Sequence, residues 1–80
     1  MSNLTCIVCE AAVGLISAEA NLTNATVAVI SKAVTTLCAV IGGAVVSGEC
    51  KFIVGSIDKI MSWLDAGLTH AQVCERLHLC

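Results

Sequence analysis

Six cysteines in eighty residues constrain this chain more than any other feature, because cross-links decide which segments lie together before packing is considered. They run as C-x2-C at Cys6 and Cys9, then Cys38 after 28 intervening residues, Cys50 after eleven, Cys74 after 23 and Cys80 after five. An even number in so short a chain reads as a disulfide framework made in an oxidising compartment. Three N-x-[ST] triplets, at Asn3, Asn21 and Asn24, agree with a secretory route and mark candidate N-glycosylation positions. Met1-Ser2-Asn3 lacks the basic start of a signal peptide. The chain therefore reads as a mature segment whose export signal has been removed, ending on Cys80 by processing from a precursor. Zinc would require a second ligand pair at close spacing, and a thioredoxin-like pair a βαβ context; neither is present. No metal or other cofactor is expected.

Periodicity assigns the segments between the cysteines to helices, in a chain without proline. Leu4, Ile7, Val8, Ala11, Leu15 and Ala18 recur at helical spacing opposite Asn3, Glu10, Gly14 and Ser17, ending near Glu19 to Asn21. Thr23 or Asn24 is the expected cap of a second helix bearing Val27, Ile30, Val34, Leu37, Cys38 and Ile41, which Gly42-Gly43 stops. Its β-branched residues are weak helix formers. Beyond a second break at Ser47-Gly48, a stripe of Cys50, Ile53, Ile57, Ile60, Met61 and Leu64 implies a helix kinked near Gly55. Asp65-Ala66-Gly67 closes it, with Gly67 as a left-handed cap. Thr69-x-x-Gln72 is a capping box opening a last helix through about Leu79. The prediction is one all-α domain over residues 1–80. Six cysteines allow fifteen pairings; helix geometry favours two bridges tying the chain ends and a Cys38–Cys50 staple in the middle hairpin.

Composition then sets what such a fold must do. A domain of 8.2 kDa exposes about 4,500 Å². Apolar residues make up 58% of the chain and charged residues only 12%. So small an interior cannot hide them all, and the surplus must face lipid or further copies of the chain. Val13, Ile16, Val29, Ala33, Val40, Val45 and Val46 lie off the core stripes and form the expected surface. Phe52 and Trp63 are eleven residues apart, sharing one helical face with Lys59, a combination suited to a bilayer interface. The longest charge-free run, 33–48, is sixteen residues and interrupted by glycines, too short to span a bilayer. Four Lys/Arg against six Asp/Glu leave no basic cluster for nucleic acid. No Ser/His/Asp constellation or paired carboxylates stand at catalytic spacing, so an enzyme is not expected.

The cysteine spacing on an all-helical pattern resembles the saposin-like proteins over all eighty residues. That resemblance implies a folded leaf of four or five amphipathic helices, nested bridges Cys6–Cys80, Cys9–Cys74 and Cys38–Cys50, and action on lipids rather than catalysis. The C-terminal run Arg76-Leu77-His78-Leu79-Cys80 is similar to the amoebapores, pore-forming members in which the corresponding histidine is regarded as an acid switch for dimerisation. The resemblance passes that role to His78. It passes no role to His70, which matches no motif, lies at the start of the last helix and reads as a solvated histidine. A net charge of −2 excludes the strongly cationic branch at neutral pH. Two histidines, with a reference pKa of about 6.5, would bring it to roughly zero near pH 5. The expectation is a secreted protein, or one held in acidic secretory or lysosomal vesicles, that associates as a homodimer or higher homo-oligomer. It would permeabilise microbial membranes, anionic ones above all. The alternative is a lipid-binding or lipid-transfer domain that presents lipids to a hydrolase. Two features favour it: the sequons at Asn21 and Asn24, where a glycan would hinder insertion, and the chain's glycine content together with the weak helix formers of the second helix, which would let the leaf open.

Overall fold

A computed structural model describes residues 3–23 and 26–80 as helices joined by short turns, with no strand among the described residues. Helix α1 (Asn3–Ala18) continues into a π turn, Glu19–Thr23. Then follow α2 (Val27–Ile41), a 3-10 turn (Gly43–Val46), α3 (Ser47–Gly55), α4 (Ile57–Asp65) and α5 (His70–Arg76). The molecule measures 31 × 23 × 17 Å and exposes 4671 Å², close to the area expected from its mass.

Local chemistry sets most helix ends. Thr26 caps α2, its hydroxyl accepting from the Val29 N–H at 3.4 Å. The cap therefore falls neither on Thr23, which ends the π turn, nor on Asn24, which lies outside the described residues. Gly42 ends α2 as expected, and its missing side chain has a specific use: a Cβ there would meet Val46 Cγ2 at 2.5 Å. Valine 46 is thus folded back over the turn and buried, which corrects its expected place on the surface. The break near Gly55 is complete. Ser56, outside the helical range at φ −111° and ψ 12°, separates α3 from α4. The capping box is present in both halves, the Gln72 N–H donating to Thr69 Oγ1 at 3.1 Å and the Thr69 N–H to Gln72 Oε1 at 2.8 Å. Helix α5 stops at Arg76, three residues before the expected end.

Helix α1 runs through the middle and touches each of the other four helices. Burial takes Val8, Cys9, Ala12, Val13 and Ile16, whereas Ile7 is 58% exposed and Ala18 is exposed. The apolar face is therefore turned from the expected one, and Val13 and Ile16 are core rather than surface. The cause is tertiary: α1 is apolar nearly all round, so its rotation is set by neighbours on several sides and by Cys9, which must reach α5. Ile30, Val34, Cys38, Val46, Cys50, Ile53, Ile57, Ile60, Val73, Cys74 and Leu77 complete the core, and no polar or charged residue is buried among the described residues. Three bridges enclose it: Cys6–Cys80, Cys9–Cys74 and Cys38–Cys50, with Cα separations of 4.7, 5.9 and 6.2 Å. The first two join α1 to the C-terminal segment; the third staples α2 to α3.

Candidate functional site

Exposed apolar side chains collect on the α2–α3 hairpin. Val40 is 79% exposed and Val45 77%, both where the chain turns, with Phe52 at 49% on α3 and Val29 exposed on α2. Ala33, expected in the same surface, is only half-exposed. Charge is divided unevenly as well. The hairpin, 27–55, carries Lys32 and Lys51 against Glu49 alone, so it is net positive within a net-negative chain. The other acids, Glu10, Glu19, Asp58, Asp65 and Glu75, lie outside it with Lys59 and Arg76. An open groove of about 600 Å³ runs between α2 and α3, lined by Thr35, Ala39, Val54 and Lys51 and floored by the Cys38–Cys50 bridge.

The face expected to hold Phe52, Lys59 and Trp63 together was counted along one helix, and Ser56 interrupts that helix between them. Phe52 belongs to α3; Lys59 and Trp63 belong to α4. Lys59 is exposed. The Trp63 ring is half-buried against the core, with the Arg76 guanidinium carbon 5.7 Å from its centroid, within cation–π range.

His78 stands exposed just beyond α5, with φ at +60°. Its setting is clearest beside the end of α4. There the Leu68 N–H donates to the Trp63 carbonyl at 3.1 Å and the Gly67 N–H to the Leu64 carbonyl at 3.0 Å. At the end of α5 the Leu79 N–H donates to the Cys74 carbonyl and the His78 N–H to the Glu75 carbonyl, both at 3.0 Å. These are the same Schellman closure. The residue in the left-handed position is glycine in one (Gly67, φ +97°) and histidine in the other. A side chain there costs about 1–2 kcal/mol.

His70 is exposed at the start of the last helix, as expected. It opens α5 and lies over α1, where a Cβ added at Gly14 would sit 3.5 Å from its Nδ1 and Cε1. The capping box already placed it on the helix. Its neighbour across the structure was the part that sequence could not supply. The groove it borders, about 720 Å³, is lined in part by Ser17, Asn21, Met61, Leu64 and Asp65.

Asn21 is exposed in the π turn, its amide donating to Ser17 Oγ at 3.3 Å; Asn24 and the Asn3 side chain lie outside the described residues. A Glu10 carboxylate oxygen approaches Cys6 Sγ at 3.3 Å and Cys80 Sγ at 3.8 Å. Both sulfurs are consumed by their mutual bridge, so the cluster offers no thiolate to a metal. The segment Leu4–Asn21 has the length and mean hydropathy (1.4 over 18 residues) to cross a membrane, with 28% of it buried. It is not charge-free, because it contains Glu10 and Glu19. In this fold it is the central helix, cross-linked twice to the C-terminal segment.

No family model, curated protein or solved structure matches the chain.

Proposed function

We propose that this protein is a saposin-like, non-catalytic effector, secreted or stored in acidic vesicles, that permeabilises anionic membranes on acidification. The observation that carries the reading is the hairpin surface: Val40, Val45 and Phe52 exposed on the one part of the molecule with more basic than acidic residues. Apolar contact and attraction to anionic headgroups then act at the same place. The nested bridges and helix order agree with the fold that the sequence resemblance implies.

The acid step rests on His78. It is exposed on a left-handed backbone at the end of α5, at the position where the resemblance to the amoebapores puts the acid switch. Its charge would pair with a carboxylate on a second copy while the molecule's negative charge falls. Association through exposed apolar side chains such as Ile7 and Val29 would follow, then insertion with the bridges intact.

Dye release from anionic liposomes should rise at least tenfold from pH 7 to pH 5, with particle size in solution measured alongside. His78→Ala should flatten the pH response while leaving the helical spectrum unchanged. Equal release at both pH values would discard the switch. The α2–α3 groove favours a second reading, a lipid carrier, which would move lipid between vesicles without releasing dye.

A further inference from the structure

The α2–α3 groove has features that membrane contact alone does not require. Its walls are Ala39 and Val54 with Gly43 and Ala44 at one end, small and apolar, and its floor is the Cys38–Cys50 bridge. That bridge, with a Cα separation of 6.2 Å, ties the two helices together beneath the groove. Its volume of about 600 Å³ falls within the roughly 300–1,000 Å³ of small-molecule sites. Three polar side chains line it: Thr35, Ser47 and Lys51. The Thr35 hydroxyl donates to the Ser31 carbonyl at 2.8 Å, so its hydrogen is taken. Ser47 and Lys51 are one helical turn apart on the same side of α3 and together supply a hydroxyl and a cation. Lys51 is the only charged residue in the lining.

We infer that this groove binds one long-chain fatty acid, its alkyl chain lying between Ala39 and Val54 over the Cys38–Cys50 bridge and its carboxylate on Lys51 and Ser47. The argument for this occupant is complementarity: one cation beside an open, mostly apolar groove fits one anionic head carrying an alkyl tail. The inference deepens the lipid-directed reading above by assigning the soluble form a ligand, which leaves or enters where the hairpin meets the bilayer.

The test is calorimetric titration of the folded, oxidised protein with laurate below its micelle concentration, with dodecyl maltoside as the uncharged probe. One laurate per chain is expected, with dodecyl maltoside bound at least tenfold more weakly. Lys51→Gln should weaken laurate at least fivefold, while Lys59→Gln, removing the same charge outside the groove, should leave it unchanged. Ala39→Phe, at an exposed position, should abolish binding. Should that variant fold poorly, a spin-labelled fatty acid added to the unaltered protein should broaden the amide resonances of Thr35, Ala39 and Val54 before any others. No binding, equal effects of the two lysine changes, or broadening elsewhere would overturn the inference. Leakage run on the same variants separates the two proposals. Binding without leakage removes only the permeabilising role, and leakage without binding removes only the fatty-acid site.

Discussion

The two ends of the leaf are closed by different means. At the terminal end, α1 meets α5 and the last residues through two bridges, and Val8, Cys9, Val73 and Cys74 between them are fully buried. At the hairpin end, one bridge spans a short loop while Val40 and Val45 stand in solvent. The difference separates two tasks that a very small domain must reconcile. Apolar side chains that hold it together are concentrated where cross-links already confine the chain. Those that would meet lipid project from a segment whose shape depends on a single staple.

The largest test of this contrast is removal of both terminal bridges by Cys6→Ala, Cys9→Ala, Cys74→Ala and Cys80→Ala. Loops of this length correspond to about 4–5 kcal/mol in the chain-entropy treatment, enough to unfold so small a core at 37 °C by circular dichroism. Removing Cys38–Cys50 alone should cost about 3 kcal/mol in urea unfolding. Removing Cys6–Cys80 alone should cost less than that, because Cys9–Cys74 still closes almost the same loop. If that exposed bridge proves as costly as the hairpin staple, the terminal pair is not redundant and the contrast fails.

Smaller changes sharpen it. His78→Gly should raise stability by about 0.5–1 kcal/mol, the relief of the left-handed backbone less the added freedom of glycine in the unfolded chain. The same change should remove the steep rise in leakage between pH 7 and 5. A gain in stability with the pH response intact would show that the imidazole has no part in it. At the other end, the double change Val40→Ser and Val45→Ser should alter stability by less than about 0.5 kcal/mol. Leakage from anionic vesicles should nevertheless fall about tenfold, and an unchanged rate would move the membrane surface elsewhere.

Features governed by neighbouring residues were legible in the sequence. The capping box at Thr69 and Gln72, the stop at Gly42, the left-handed Gly67 and the weak point at Gly55 each depend on a few adjacent groups. The bridges followed from spacing on helices together with a family resemblance. Rotation of α1 was not legible, because Ile7 and Val13 are equally apolar and only the surrounding helices decide which is buried. Val46 was misplaced for a related reason, since its burial depends on a fold-back over Gly42. The Phe52 and Trp63 spacing was counted along one helix, and the extent of the break at Ser56 was not visible in that count. At the candidate site, His78 was singled out from its neighbours in sequence. Its strained backbone was hidden, for the run Leu77-His78-Leu79 has no glycine to announce a left-handed residue.

The nesting of the bridges also governs what a protease can accomplish. Any single peptide bond cut between Cys9 and Cys74 leaves one piece carrying Cys6 and Cys9 and another carrying Cys74 and Cys80, still joined by both terminal links. A nick at the α3–α4 break would therefore yield a two-chain molecule of unchanged composition, with its severed ends free to move apart but not to diffuse away. In a digestive vesicle, such a molecule would outlast its first cleavage.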